Sequence, residues 1–286
     1  MNWLVYHITS GHAFFTGIAL VILAVLVSSR NKPIANRIAV LAFLVGAVAI
    51  AISSTPIPYW YYVVALVPTV AWVISRYVKS WNRWAPTAMI AVWLVAAAIE
   101  IPYHITPALT PVTSRSITVI GDSVTAGMGV RDKSKKWPAI LADQHGLAVQ
   151  NISHMGETAA TALKRVKKQG ISAPIVIVEI GGNDLLGSTT SAEFELDLNA
   201  LLAHITAPNR QVIMFELPLP PFCHEYGRIQ RALARKHRVA LIPKRIFLSV
   251  LAADDSTLDT IHLSQAGHDR MANCVWQLIG SAFPPH

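Results

Sequence analysis

Charge is what the first third of this 286-residue sequence lacks. No lysine, arginine, aspartate or glutamate occurs between Met1 and Ser29 or between Ile38 and Ser75, and Glu100 is the one acidic residue before position 111. Cysteine is scarce as well. Cys223 and Cys274 are the only two and form no CxxC pair, which argues against a structural zinc site. A disulfide between them is permitted in an oxidising compartment but not favoured, because the two fall in segments that commonly cover opposite faces of a sheet. Also missing is any basic patch with interleaved aromatics, so the net charge of +8 does not point to nucleic acid. Internal repeats and low-complexity segments do not occur.

What is present divides the chain in two. The hydrophobic fraction of 53%, with 14% charged residues and a mean hydropathy of +0.43, exceeds that of an ordinary soluble domain. Most of that excess lies before residue 111, while positions 111–286 hold eighteen basic and fifteen acidic residues, the balance of a globular domain. The run Ala13–Ser29 suits a membrane span, and its basic residues follow it, the reverse of a secretory signal. Residues 38–75 as one helix would reach roughly 57 Å, far more than a bilayer, and "SSTPIP" (Ser53–Pro58) supplies the break. Helices are therefore expected near 37–53 and 59–75, with Trp60, Tyr61 and Tyr62 at an interface, and a fourth near 86–101.

The basic residues Arg30, Lys32 and Arg37, then Arg76, Lys79 and Arg83, separate these runs in two clusters. Both clusters are expected on the cytoplasmic side of a bacterial inner membrane, which puts the N-terminus and everything after the fourth run outside, in the periplasm. Glu100 is expected to reach the outer interface. Residues 1–101 thus read as an all-α bundle of four transmembrane helices. Residues 102–115, with Pro102, Pro107 and Pro111, read as an extended linker, and residues 116–286 as the second domain.

In that domain short apolar runs, "SITVIG", "LAVQNIS", "PIVIVEIGG", "RQVIMFELP" and "VALIPK", alternate with helix-like stretches, the pattern of a parallel sheet wrapped by helices. Ligands of such sheets bind beyond the carboxyl ends of the strands. Gly121-Asp122-Ser123, Asn151 with Gly156, Gly181-Gly182-Asn183-Asp184 and Asp259-Thr-Ile-His262 all fall on that rim.

These residue types suit acyl transfer. Ser123 opens a helix, near the positive end of its dipole, as a nucleophile. His262 is the candidate base, and Asp259, three residues earlier, can orient it, in preference to Asp254 or Asp255. The Ser123 N–H, the Gly156 N–H and the Asn183 amide are candidate oxyanion donors. Asp122 and Asp184 read as structural acids that bond loop N–H groups, and His154 and His268 as surface or loop residues.

"GDSVTAG", "NISHMGET", "GGND" and "DTIH" resemble the four blocks of the SGNH hydrolase, or GDSL esterase and lipase, superfamily. Residues 116–280 are most similar to its bacterial arylesterase, thioesterase and lysophospholipase L1 branch. Trp137-Pro138, "VEIGGNDLL" and the spacing from His262 to His268 add to the likeness. The resemblance implies a flavodoxin-like three-layer α/β/α domain with a five-stranded parallel sheet. It implies Ser123 as nucleophile, Gly156 and Asn183 in the oxyanion hole, and Asp259 with His262 completing the triad, without metal or cofactor. Val124 stands where leucine is usual. Leu263-Ser264 stands where Pro-Asn often follows the histidine, which puts the stiffness of that loop in question. The membrane part lies outside the resemblance.

The expected activity is hydrolysis of an acyl ester of a lipid, lysophospholipid or O-acylated glycan through an acyl-serine, by a protein whose partner is the lipid bilayer. Two alternatives stay open: an acyltransferase using the same triad on a glycan or lipid hydroxyl, and a catalytically idle module whose spans bind an unidentified protein.

Overall fold

The computed structural model describes residues 1–30, 32–129 and 132–284 and divides into two compact units. One comprises Trp3–His104 with Leu219–His224; the other comprises Met1–Asn2, Ile105–Pro218 and Glu225–His286.

The first unit is helical: α1 (Trp3–Thr9), α2 (His12–Ser28), α3 (Pro33–Ile52), α4 (Tyr59–Ser75) and α5 (Ala85–Glu100). The separate helix α1 was not expected. Gly11, at φ 86°, ends that turn, and α1 and α2 meet at 86°. The break between α3 and α4 falls on the Ser/Thr/Pro turn as expected. By length and composition, α3 and the segment Ala85–His104 can each cross a membrane, and the bent α1–α2 pair makes up to three. The 17-residue α4 is apolar but shorter, so four spans are not established by these criteria.

Small residues set the packing of α2 on α3. A Cβ on Gly17 would come within 2.7 Å of the Gly46 carbonyl oxygen, and one on Gly46 within 2.8 Å of that of Gly17. The two backbones therefore touch where any side chain would wedge them apart. Phe14, Ile18, Val21, Ala39, Ala42 and Ile50 fill the interior, while Leu41, Leu66 and Val67 are exposed. Arg76 donates to Ser28 O at 3.0 Å and to Asn36 Oδ1 at 2.8 Å, so it ties the ends of three helices and caps the last turn of α2.

Two expectations fail here. Tyr61 is buried, with its hydroxyl on Val92 O, because one face of α4 packs on α5. Glu100 is fully buried, not interfacial, with its carboxylate 3.5 Å from His104 Nε2 one turn on. Within this unit the Leu219 N–H donates to Ser54 Oγ at 3.0 Å, and His224 Nε2 lies 2.6 Å from Ser53 O.

The second unit is the expected α/β/α domain. Its strands are β1 (Ser116–Gly121), β2 (Ala148–Asn151), β3 (Ile175–Glu179), β4 (Gln211–Phe215) and β5 (Ala240–Ile242), all parallel in the order β2-β1-β3-β4-β5. The helices are α6 (Ser123–Ala126), α7 (Trp137–His145), α8 (Ala159–Gln169), α9 (Gly182–Leu186), α10 (Ser191–Ile205), α11 (His224–His237), α12 (Lys244–Ala252) and α13 (Gln265–Ile279). On one face Ile117, Val119, Ile175, Ile177 and Ile213 pack against Trp137, Leu141, Phe247, Met271 and Val275 of α7, α12 and α13. Successive strand residues alternate faces, so Ile120, Val176 and Val178 belong to the other, where α8 and α10 pack together. β2 and β5 are the edge strands, and β3 is buried along its whole length, as its apolar run "IVIV" requires.

The expected linker has no helix or strand from residue 105 to 115, but it is no free tether. Val112 N–H donates to Ala282 O at 2.8 Å, and Thr110 exchanges bonds of 2.7 and 2.8 Å with the Gln211 amide. Leu109 and Val112 pack on the α7/α12/α13 core. A proline-rich segment cannot satisfy its own backbone, and here the domain supplies the partners.

The helix crossing gives the first test. Gly17→Leu is expected to destabilise the helical unit by about 1–3 kcal/mol through overpacking, whereas Leu41→Ala on the exposed face should change little. Thermal unfolding of the full chain in detergent measures both, and equal effects would contradict the close contact.

Candidate functional site

Strand order reverses around β1, which has β2 on one side and β3 on the other, so a crevice opens at the carboxyl ends of β1 and β3. Gly121 and Glu179, the last residues of β1 and β3, are register partners. Asp122 follows at once and caps α6, its Oδ1 accepting from Val124 N at 2.9 Å. The cap fixes Ser123 at the first helical position, where its N–H has no intrahelical acceptor. α6 is a single turn of 4 residues, too short for the expected helix-dipole contribution, so individual N–H groups carry the local electrostatics.

His262 Nε2 lies 3.1 Å from Ser123 Oγ, and His262 Nδ1 lies 2.7 Å from Asp259 Oδ2. An ionised carboxylate only accepts, so Nδ1 carries the proton and Nε2 is free to accept from the serine. Asp259 is held in turn: its Oδ1 takes the Ile261 and His262 N–H groups at 2.7 and 2.8 Å. The His262 ring and then these N–H groups keep the Asp259 carboxyl below the usual carboxylate range. Asp254 and Asp255 offer backbone carbonyls to Arg270 and Ser264, while the imidazole is hydrogen-bonded to Asp259.

The loop carrying His262 is firmly tied despite lacking Pro-Asn. Leu258 N donates to His262 O at 2.8 Å and Ser264 N to Ser256 O at 2.9 Å, while Leu263 is buried and Ser264 caps α13.

Of the three expected donors, two, Ser123 and Gly156, carry an N–H with no acceptor among the described residues. Gly156 sits at φ 74° with nothing within 4 Å of a Cβ, a left-handed turn that favours glycine. The third, Asn183, is engaged: Nδ2 donates to Glu157 O at 3.0 Å and to Asp122 Oδ2 at 3.3 Å. The second bond is long and is the one the amide can exchange for an oxyanion.

Beneath this rim lie residues that the sequence reading did not assign. Glu179 Oε2 accepts from Thr125 Oγ1 at 3.0 Å and from Asp122 N at 3.3 Å, and Trp137 Nε1 donates to Thr125 Oγ1 at 3.2 Å. Glu157, paired with Arg165 at 2.7 Å, is buried too. A glutamate ending the strand "IVIVE" was the available signal. Burial pushes Asp122 up to about 6 against the pull of the Val124 N–H, and burial together with Asp122 pushes Glu179 well above the usual range. Asp184, expected as a structural acid, accepts from Ala159 N at 3.0 Å, and burial moves it up to about 6.

His154 is exposed, but His268 is not a surface residue: it is fully buried in α13, and among the described residues neither ring nitrogen has a hydrogen-bond partner. The α13 stripe that faces the sheet includes this position. Both cysteines are free. Among the described residues no group of three or more His, Cys, Asp or Glu is placed to hold a metal ion.

Comparison with known proteins adds to this geometry. The profile of the GDSL-like lipase/acylhydrolase family matches residues 119–270. Esterase TesA of Pseudomonas aeruginosa is 28% identical over 180 residues, covering 58% of this chain and 88% of that protein. The thioesterase 1/protease 1/lysophospholipase L1 of Escherichia coli is 32% identical over 141 residues, covering 45% of this chain and 65% of its own length. A crystal structure of TesA superimposes with a TM-score of 0.50 at 26% identity, covering 58% of this chain and 99% of that one.

The buried histidine generates a pH prediction. Burial, then the Lys136 ammonium, lower the His268 value from 6.5 to about 4. A base depressed by folding contributes stability that is intact above about 6.5 and is lost as pH falls toward about 4. The acid-side fall of the unfolding midpoint in this window is expected to be shallower in His268→Leu than in the wild type. Parallel curves would contradict the assignment.

Proposed function

We propose, for a chain that belongs to the GDSL-like lipase/acylhydrolase family and is a carboxylic ester hydrolase, a serine mechanism run by Ser123, His262 and Asp259. The observation that carries this reading is the continuous relay of 3.1 Å from Ser123 Oγ to His262 Nε2 and 2.7 Å from His262 Nδ1 to Asp259 Oδ2. As Ser123 Oγ adds to the acyl carbonyl, His262 Nε2 takes its proton, and Asp259 stabilises the imidazolium. The oxyanion is met by the Ser123 and Gly156 N–H groups and the Asn183 amide. Collapse breaks the acyl–oxygen or acyl–sulfur bond, and His262 returns the proton to the leaving alcohol or thiol. Water then adds to the acyl-serine by the same steps in reverse roles, releasing the carboxylic acid and restoring Ser123.

The substrate class we infer is an acyl ester of a lipid, lysophospholipid or O-acylated glycan. Met128, Met155, Leu186, Leu258 and Ile261 are exposed, and each is close in sequence to a site residue, which suits an apolar acyl chain. The E. coli relative bears thioesterase and lysophospholipase in its name. Transfer to a glycan or lipid hydroxyl uses the same acyl-serine, and following the acyl group with and without an acceptor separates the two.

The helices of residues 1–101 we read as four spans in a bacterial cytoplasmic membrane, with the two basic clusters inside and the N-terminus and catalytic domain in the periplasm. Support comes from the apolar helices and the exposed aliphatic side chains of α3 and α4.

Ser123→Ala is expected to lower kcat on an activated ester by at least about 1000-fold with the unfolding midpoint unchanged. Asp259→Asn should cost about 100- to 10,000-fold, while Asp254→Asn and Asp255→Asn stay within about twofold. Retained turnover in Ser123→Ala, or a greater loss in Asp254→Asn than in Asp259→Asn, would contradict the roles given.

Topology is tested in intact cells, in a Cys223→Ser/Cys274→Ser background. A membrane-impermeant thiol reagent is expected to label Ala108→Cys and to spare Ser80→Cys. The reverse pattern would place the hydrolase in the cytoplasm.

A further inference from the structure

We propose that Glu179 is a positioning residue for the Ser123 site: as the protonated partner of Asp122, it holds the one carboxylate that orients both the nucleophile turn and the Asn183 amide. The inference rests on the serine mechanism and assigns a role outside the triad and the oxyanion donors.

Place and chemistry both point to Glu179. It ends β3 directly across the register from Gly121, so its side chain lies beside the turn that presents Ser123. The Glu179 carboxyl is buried beside Asp122, which is buried too and whose N–H donates to Glu179 Oε2 at 3.3 Å. Two buried carboxyl groups on adjoining residues do not both ionise, because two carboxylates are both acceptors and repel, and the donors that reach Glu179, the Thr125 hydroxyl and the Asp122 N–H, are neutral. Glu179 Oε2 is committed as an acceptor to Thr125 Oγ1 at 3.0 Å and Asp122 N at 3.3 Å, which leaves the other oxygen to carry the proton.

Asp122 must be the charged member. Its Oδ1 accepts the Val124 N–H at 2.9 Å and its Oδ2 accepts the Asn183 amide at 3.3 Å. His262 favours this charge and Glu157 opposes it, but Glu157 is neutralised by Arg165 at 2.7 Å.

The consequence for catalysis follows. An Asn amide presents nitrogen or oxygen to the rim according to its fixed partners. Asp122 and the Glu157 carbonyl are both acceptors, so they select the nitrogen. Removing the Glu179 proton donor leaves the Asp122 carboxylate with one partner fewer, and both the helix cap and the amide lose their fixed reference. Ionising Glu179 would add a second negative charge beneath a site that must stabilise an oxyanion.

The test compares wild type, Glu179→Gln and Glu179→Leu as full-length protein in detergent, with Ser123→Ala alongside. Gln keeps a neutral donor to Asp122 and an acceptor for Thr125, so kcat is expected within about threefold of wild type. Leu keeps bulk only, and kcat is expected to fall about 10- to 100-fold with KM unchanged, the scale of a misplaced reacting group. A second readout does not depend on turnover. At pH 8 the infrared carbonyl band of a protonated buried carboxyl should appear in wild type and in Ser123→Ala and be missing in Glu179→Gln. This comparison decides the matter alone if the Leu variant does not fold. Loss of kcat in Gln equal to that in Leu, a pure KM effect, or a carboxyl band unchanged in Glu179→Gln would each overturn the proposal. Turnover surviving in Ser123→Ala would instead defeat the serine mechanism, whatever the Glu179 variants do.

Discussion

Where β1 and β3 lie side by side, their connections leave in opposite directions, and the backbone between Gly121 and Ser123 has to turn within two residues. Asp122 makes that turn possible by taking the Val124 N–H onto its own carboxylate, and the remaining features of the site depend on this cap. Ser123 is held at the start of α6, its hydroxyl reaches His262 at 3.1 Å, and the Asn183 amide is referenced to the same carboxylate. A buried acid used this way needs a neutral neighbour, not a cation that would cancel it, and Glu179 is placed to be that neighbour.

In the helical unit the constraint is close backbone approach. With few polar groups to pair, α2 and α3 associate through Gly17 and Gly46, and hydrogen bonds serve mainly the helix ends, where Arg76 meets Ser28 O and Asn36. Small residues at a crossing let the backbones of apolar helices approach closely. The catalytic unit follows the other rule, with buried aliphatic strands between helical layers and its polar groups gathered at one rim.

Much of this was legible in the sequence, for identifiable reasons. Strand β3 is a run of β-branched residues, and the Gly-Asp-Ser, Gly-Gly-Asn-Asp and Asp-Thr-Ile-His stretches announce themselves because their chemistry depends on local backbone. Asp259 and His262 are brought together by a three-residue turn, a short-range relation. What escaped was side-chain burial set by tertiary packing. Glu100 and Tyr61 were expected at a membrane interface and His268 at the surface or in a loop, yet all three are buried. The linker was read from its prolines as extended, and its composition gave no sign that Leu109 and Val112 pack on the hydrolase core. Helix α1 escaped because the uncharged segment before Ala13 carries no composition change, and only Gly11 marks the bend. Val124 and Leu263, which depart from the usual pattern of the family, are both buried, so they keep an apolar role.

The central claim is that Ser123 becomes acylated during turnover. Full-length protein mixed with an activated ester and quenched in acid during the burst should carry one acyl adduct, located by peptide mass spectrometry on Ser123 and absent from Ser123→Ala. An adduct on another residue, or Ser123-dependent turnover with no adduct under any quench time, would contradict the account.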